Sequence, residues 1–128
     1  MEAFTENEYY KIYIENGIVF GEYKNNLDID LNAAKQIVEL RLAISKGKSY
    51  PLFIDARNAR SSTKAARDYL ASTEATHDIK AGAFYVDSSL NKIIVNFFLS
   101  ISKPNVPTKL FTNKEDAIKW LQQFKEPQ

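Results

Sequence analysis

YYKIYIENGIVFGEY, residues 9–23, is the stretch that sets the start of the fold. It consists of two runs of β-branched and aromatic residues on either side of the dipeptide Asn16-Gly17. A two-residue type I′ turn needs positive φ at both central positions, and Asn-Gly adopts this conformation readily. The sequence therefore predicts a β-hairpin with strands at residues 9–15 and 18–23.

Beyond this hairpin the apolar residues are spaced as in alternating helices and strands. The first helix follows at once, with Asp30 or Asn32 as its cap and Lys46-Gly47-Lys48 as its end. Three more strands and three more helices follow: strands at residues 51–55, 80–87 and 108–111, and helices beginning after Ser62, at Ser88-Ser89 and at Asn113. The order ββαβαβαβα predicts a single α/β domain over residues 1–128, with a mixed, mostly parallel five-stranded sheet flanked by helices.

Composition excludes several classes of protein. The 128 residues include no cysteine, which excludes a disulfide framework, a thiolate nucleophile and a cysteine zinc site. Lys and Arg number 17 against 16 Asp and Glu, and this balance gives no electrostatic case for binding nucleic acid. We therefore expect a globular domain without a nucleic-acid partner.

No segment of the sequence predicts export or a membrane span. The opening MEAFTENE is acidic and polar, unlike the basic start and apolar middle of a secretory signal. The most apolar stretch, between Lys92 and Lys103, is about half of the roughly 20 residues that a membrane-spanning helix needs, and Asn96 interrupts it. We expect a cytoplasmic protein with no membrane insertion.

Polar residues collect where the predicted parallel strands end, which is the edge at which open α/β sheets bind ligands. Several precede helices, whose free N–H groups and dipole favour an anion, and Lys64 and Arg67 add positive charge beside one helix start. The same residue types are also the usual N-caps, so capping alone is the more frequent reason for them, and both interpretations stay open. The candidate phosphorylation or anion-binding residues are Asp55, Arg57, Arg60, Ser61, Ser62, Thr63, Ser88 and Ser89.

Catalytic machinery is weakly indicated. His77 is the only histidine, and its place at a predicted helix end suits a cation beside the last carbonyls. The sequence contains no G-x-S-x-G elbow, no carboxylate–histidine cluster at metal-ligand spacing and no glycine-rich phosphate loop. An enzyme would need His77 close to Asp55 or Asp87. We expect no enzymatic activity, no cofactor and no metal.

The third helix is apolar around much of its circumference. One arc is predicted to face the sheet and contains Leu90, Ile93, Ile94, Phe97, Phe98 and Ile101. Val95 and Leu99 fall outside this arc, beside polar Lys92 and Asn96. Either a neighbouring element covers them, or they form a partner surface, most simply a homodimer contact.

Two segments carry a resemblance to a known family. The first, YPLFIDARNARSST at residues 50–63, is similar to a strand that ends in Asp and a loop that delivers serines to a helix start. The second, LFTNKEDAIKWL at residues 110–121, is similar to the last strand and acidic-start last helix of the same fold. The chain thus resembles the STAS superfamily, with the SpoIIAA-like fold of anti-sigma-factor antagonists, and within it the uncharacterised single-domain proteins.

The resemblance implies a regulatory phosphorylation site. In regulatory members a partner kinase phosphorylates a serine at this helix start, and Ser61 or Ser62 would be that residue here. The regulatory motif has an acidic residue before the serine pair and a glycine after it, whereas this chain has Arg60 and Thr63.

Together these observations favour a non-enzymatic regulatory or protein-interaction domain, phospho-regulated at Ser61 or Ser62 and acting on a protein partner or as a homodimer. The alternative is a small-molecule-binding domain. Its ligand would be an anionic metabolite, a nucleotide or a lipid, bound at the carboxyl edge of the sheet or beneath the third helix.

Overall fold

A six-stranded mixed sheet forms the middle layer of the structure, a computed structural model that describes residues 4–126. The strands are β1 (Phe4–Glu6), β2 (Tyr10–Glu15), β3 (Ile18–Tyr23), β4 (Leu27–Ile29), β5 (Tyr50–Asp55), β6 (Ala59–Ser62), β7 (Ile79–Tyr85) and β8 (Thr108–Phe111). The helices are α1 (Leu31–Ser45), α2 (Lys64–Leu70), α3 (Thr73–Thr76), α4 (Ser89–Phe97) and α5 (Lys114–Leu121). A π-helical turn, Phe98–Ser102, continues α4, and a 3₁₀ turn, Gln122–Phe124, follows α5.

The predicted hairpin is confirmed. β2 and β3 pair antiparallel, and the turn residues Asn16 and Gly17 have φ of 53° and 77°, as a type I′ turn requires. Asp30, one of the two predicted caps of α1, accepts a hydrogen bond from the backbone N–H of Ala33 at 2.8 Å. Local chemistry therefore determines this hairpin and the start of α1.

The main sheet has the order β1-β2-β3-β5-β7-β8, and its strands from β3 to β8 pair in parallel. The predicted α/β class and mixed, mostly parallel sheet are confirmed. The predicted count of five strands is wrong, because β1 adds a sixth at the edge, antiparallel to β2. Strands as short as β1, β4 and β6 carry no periodic signal. β1 pairs with the neighbouring strand β2, whereas β4 and β6 form by pairing with each other across α1 and β5.

The predicted second helix begins after Ser62 as expected, but the serine pair before it lies in a strand. Ser61 and Ser62 belong to β6, which pairs in parallel with β4, and Thr63 is the N-cap of α2. The backbone N–H of Thr63 donates to the carbonyl of Ile29 at 3.0 Å, which extends the strand contact up to the cap. The serine pair is therefore held in a strand and not at a helix start.

Helices cover the two faces of the sheet unequally. On one face, β2, β3, β5 and β7 pack against α1, α2 and α4, and this is the larger core. On the other face, α5 packs through Ala117 and Leu121 onto Phe53, Ala81 and Ala83. The candidate site lies in the larger core, where several helices share one sheet face.

α4 buries a different side from the predicted one. Val95 is 3% exposed and Leu99 packs against the larger core, so the proposed partner surface through these two residues is wrong. The exposed side chains are instead Leu90, Ile93, Phe97 and Ile101, at 52%, 64%, 47% and 63%.

The orientation of α4 follows from Asn91, which is buried despite its polarity. Its Oδ1 accepts from the backbone N–H groups of Asp87 and Ser88 at 3.1 and 3.2 Å, and its Nδ2 donates to the carbonyl of Arg57 at 3.1 Å. These hydrogen bonds offset the free-energy cost of removing the Asn91 amide from water. They turn the Asn91–Val95 side of α4 inward.

Candidate functional site

A cavity of about 790 Å³, which includes solvent at its mouth, lies between the sheet and helices α1, α2 and α4. Its apolar walls include Ile37, Leu52, Ile54, Phe84, Ile94, Val95 and Phe98. The cavity therefore presents mostly apolar walls beneath α4.

Small residues keep this space open. Ala56, Ala59 and Gly82 all line the cavity, and the two alanines are at most 4% exposed. A Cβ added at Gly82 would meet its nearest neighbour, Thr108 Cγ2, only at 3.5 Å. No close backbone contact therefore requires glycine at this position, and an added Cβ would make ordinary contacts with Thr108 and Ile54.

Two tyrosines line the cavity from β2 and β3. The Tyr10 and Tyr23 ring centroids lie 5.4 Å apart, and the Tyr10 hydroxyl lies against Gly21, where any Cβ would overlap it. Burial raises the pKa of Tyr23 to about 12 and the pKa of Tyr10 further above its ordinary value. Both phenols therefore stay neutral near pH 7 and can offer hydroxyl groups but no charge.

A buried ion pair completes another part of the cavity wall. Arg41 on α1 and Asp78, just before β7, are each 5% exposed, and Arg41 Nε lies 3.0 Å from Asp78 Oδ2. Ser45 Oγ donates to the same Oδ2 at 3.3 Å, and Arg41 Nη2 also donates to the carbonyl of Ala75. The charge of Arg41 is thus neutralised within the protein and is not free for a ligand.

Arg67, on α2, is the other arginine on the cavity lining. Its Nη1 donates to the carbonyl oxygen of Ser62 at 2.6 Å and to Ser62 Oγ at 3.1 Å. Its guanidinium carbon lies 4.5 Å from the centroid of the Phe97 ring. Its Nε is buried and has no hydrogen-bond partner. Arg67 is therefore fixed in orientation and only partly satisfied.

The residues predicted at the carboxyl edge lie outside the cavity, apart from Ser62, and most of them are bound by other groups of the protein. Asp55, the last residue of β5, accepts hydrogen bonds from Arg57 Nε at 2.9 Å and Nη2 at 2.7 Å. The guanidinium of Arg57 also lies 4.9 Å from the Tyr85 ring centroid. Hydrogen bonds to the Asp55 carboxylate raise the pKa of Arg57 above its ordinary value.

A second charge group joins β4 to β6. The carboxylate of Asp28 accepts from Arg60 Nε at 3.0 Å, from Arg60 Nη2, and from Ser61 Oγ at 2.6 Å. Hydrogen bonds from Arg60 and then Ser61 lower the pKa of Asp28 to about 2. Lys64, predicted to attract an anion, lies 2.7 Å from Asp68. These cations therefore carry their own carboxylates and do not converge on an external anion.

The remaining predicted residues act as helix caps. Thr63 Oγ1 accepts from the backbone N–H of Ala66 at 3.1 Å, and Ser88 Oγ accepts from the N–H of Asn91 at 3.2 Å. Ser89 is the exposed first residue of α4. Capping thus accounts for Thr63 and Ser88, while phosphorylation of any of these serines stays a prediction.

His77 is the exposed C-cap of α3, and its Nδ1 lies 2.9 Å from the carbonyl oxygen of Glu74. It precedes the start of β7, whereas Asp55 and Asp87 lie at and beyond the carboxyl ends of β5 and β7. The three side chains therefore occupy opposite ends of the sheet. Residues 4–126 also contain no group of three or more His, Cys, Asp or Glu side chains that could hold a metal.

Sequence reasoning missed Arg41 and the particular role of Arg67. Arg41 could have been found, because it falls on the same helical face as Ile37 and Ile44, where a lone charge needs a buried partner. No sequence pattern distinguished Arg67 in this way, since it was one of several cations near a helix start. Only the tertiary structure separates it from the others.

The comparisons with known proteins identify a family and a fold. Residues 12–125 match the model of the family described as a domain of unknown function, DUF7793, so the chain belongs to this family. None of the curated proteins matches the chain. No helix within residues 4–126 has the length and apolar character needed to cross a membrane.

One solved structure confirms the fold expected from the resemblance. An uncharacterised DUF3478-family protein with a SpoIIAA-like fold, from Shewanella loihica PV-4, aligns with a TM-score of 0.60 at 16% identity, covering 91% of this chain and 98% of that one. A protein of unknown function from Arthrobacter sp. FB24 aligns with a TM-score of 0.34 at 22% identity, covering 87% of this chain and 97% of that one. The Shewanella protein shows that this chain has a SpoIIAA-like fold.

Proposed function

We propose that this member of the DUF7793 family is a non-enzymatic binding domain that holds an apolar small molecule in the cavity beneath α4. The cavity is the observation that carries the proposal. Protein interiors are normally packed as closely as organic crystals, and atoms that line an empty space lose the dispersion contacts that a neighbour would supply. A ligand that fills the space would restore those contacts.

The lining favours an apolar ligand over a nucleotide or another polyanion. Phosphate groups need several free cations or N–H groups. Arg57, Arg60 and Lys64, the cations expected to supply such a site, each already hold a carboxylate. The cavity instead offers aliphatic and aromatic side chains with a few hydroxyl groups, which is the usual composition of sites for apolar ligands.

The test is direct binding of apolar probes. Purified protein is titrated with a neutral long-chain alcohol, dodecanol, and its thermal stability is followed in parallel, because a ligand that binds only the folded state raises the melting temperature. We expect saturable binding by dodecanol and none by a hydrophilic control such as glucose. Absence of binding by apolar probes would overturn the proposal.

A matched pair of variants places the binding in the cavity. Ala59→Leu adds a larger side chain to the lining, whereas Ala65→Leu makes the same change at an exposed position of α2. We expect Ala59→Leu to weaken binding strongly, since the added atoms occupy the space of the ligand, and Ala65→Leu to leave it unchanged. Equal affinities in both variants would show that dodecanol binds elsewhere.

Regulation by phosphorylation is a further part of the proposal. It is supported by Ser62, whose Oγ lies 3.1 Å from Arg67 Nη1 on the cavity lining. A phosphate there would take charge-assisted hydrogen bonds from Arg67 and would occupy the polar end of the cavity. Mass spectrometry of protein from its native host tests this. No phosphate on Ser61, Ser62 or Thr63 under any growth condition would count against regulation at this site.

The protein partner expected from the resemblance and the homodimer expected from the third helix stay predictions, and the test of the homodimer moves to other residues. Val95 is buried, so a charged substitution there would disrupt the core and say nothing about assembly. Ile93 is the most exposed apolar residue on α4. Sedimentation of the wild type against Ile93→Glu is the measurement. If both sediment as monomers, no homodimer forms through this face.

A further inference from the structure

The arginines of this chain share one mode of binding carboxylates, with one exception. The guanidinium group offers a two-donor edge, formed by Nε and Nη2, that matches the two oxygens of a carboxylate. In the described residues, three of the four arginines present this edge to an Asp side chain: Arg41 to Asp78, Arg57 to Asp55 and Arg60 to Asp28.

Arg67 is the exception. It uses Nη1 to hold Ser62, and its Nε/Nη2 edge meets no carboxylate among residues 4–126. Its Nε is nonetheless buried. A buried N–H group without a partner costs the free energy of its lost hydration. Nε is the only Arg67 nitrogen buried in this way, so Nη2 is the donor of this edge that another molecule can reach.

The surroundings of Arg67 hold this edge in a fixed place. The Phe97 ring packs against the guanidinium, with 4.5 Å between the ring centroid and the guanidinium carbon, and Ser62 fixes Nη1 from the other side. Arg67 also lines the cavity together with Ile94, Val95 and Phe98. The cavity thus combines apolar walls with one oriented, uncompensated positive charge.

We propose that the ligand of this cavity is an elongated apolar monocarboxylic acid of the fatty-acid class. Its carboxylate accepts a charge-assisted hydrogen bond from Nη2 of Arg67, and its chain lies against the apolar walls. This inference rests on the proposed function and adds the chemical class of the ligand. A single carboxylate matches the single free charge of the site, because Arg41, the other arginine on the lining, is neutralised by Asp78.

The test compares head groups on one alkyl chain. Isothermal titration near neutral pH, where a carboxylic acid is ionised, measures dodecanoic acid, dodecanol, methyl dodecanoate and dodecyl phosphate against the wild type. We expect the acid to bind on the order of 10- to 100-fold more tightly than the alcohol or the ester, as charge-assisted hydrogen bonds to one arginine provide. We also expect it to bind more tightly than the phosphate.

Variants assign the preference to Arg67. Arg67→Met keeps much of the aliphatic packing and removes the charge, so the acid should lose its advantage while the alcohol binds as before. Arg60→Met is the matched control, since this arginine is paired with Asp28 outside the cavity lining, and it should leave all four affinities unchanged. Far-ultraviolet circular dichroism checks folding, and Arg67→Gln replaces Arg67→Met if the latter is unfolded.

Each outcome separates this inference from the proposed function. Equal binding of acid and alcohol by the wild type would overturn the role of Arg67 and leave the apolar cavity in place as a binding site. Tighter binding of dodecyl phosphate would overturn the carboxylate class. If none of the alkyl probes binds, the proposed function itself fails.

Discussion

Replacing Asp78 with Asn is expected to lower the free energy of unfolding by about 3–5 kcal/mol, the usual cost of leaving one member of a buried ion pair without its partner. The variant keeps the shape of the side chain and removes its charge. Arg41, which is 5% exposed, then remains as a cation in the cavity wall with no carboxylate to neutralise it. The packing is nearly unchanged, so the loss reports electrostatics and hydrogen bonding.

The structure explains why this loss should be large. The Asp78 carboxylate accepts from Arg41 Nε at 3.0 and 3.4 Å, from Arg41 Nη2 at 3.2 Å and from Ser45 Oγ at 3.3 Å. Hydrogen bonds to charged groups contribute about 1.5–3 kcal/mol each, and water cannot replace them at this depth. For a domain of this length, a loss of this size lowers the melting temperature by roughly 10–20 °C.

The assay is urea unfolding followed by circular dichroism, with Asp68→Asn as the control. Asp68 forms an exposed pair with Lys64, with side-chain exposures of 55% and 80%, and such pairs contribute at most about 0.5 kcal/mol. The double variant Arg41→Met with Asp78→Asn should be more stable than Asp78→Asn alone, because it removes the uncompensated charge. A loss below about 1 kcal/mol for Asp78→Asn would refute the reasoning.

Three further results are expected. Gly21→Ala should lower the free energy of unfolding by about 1–3 kcal/mol in urea titrations, because the added Cβ overlaps the Tyr10 hydroxyl. The matched change Gly82→Ala adds a Cβ that makes only ordinary contacts and should cost much less. Equal losses for the two variants would contradict the proposed overlap. Burial raises the pKa of Tyr23 to about 12, so the contribution of Tyr23 to stability is complete below pH ~10 and is lost as the pH rises towards 12. Tyr23→Phe should therefore unfold less readily than the wild type in alkaline titrations. Identical unfolding curves for the two proteins would contradict the raised pKa of Tyr23. Asn91→Ala should cost about 2 kcal/mol in urea unfolding, since it leaves two backbone N–H groups without their acceptor, and a neutral result would show that α4 is oriented by other contacts.

Features that depend on neighbouring residues were predicted well from the sequence. Asn16-Gly17 specifies its turn through the φ angles that these two residues tolerate, and Asp30 and Asn113 cap α1 and α5 through hydrogen bonds to N–H groups three residues ahead. The alternation of strands and helices likewise predicted parallel pairing. Each of these signals lies within a few residues of the structure that it determines.

The candidate site was predicted only in part, because its residues come from distant segments. The region beneath the third helix was an expected alternative for a ligand, but Arg57, Arg60 and Lys64, three of the four cations expected to form an anion site, are each paired with a carboxylate. Arg60 is paired with Asp28, 32 residues away, and no sequence pattern within either segment predicts that contact. Which of several cations stays unpaired is a property of the assembled molecule.

The sequence by itself determined the α/β class, the hairpin, the helix caps and the SpoIIAA-like resemblance. These features depend on local conformational preference and hydrophobic spacing, which residues close together in the chain determine. Only the tertiary structure decided which side of α4 is buried, how β4 and β6 hold the serine pair, and that a cavity with one uncompensated arginine lies beneath α4. An apolar helix can pack on several sides with similar local energy. The choice among them follows from long-range contacts such as that between Asn91 and Arg57, and these exist only once the chain has folded.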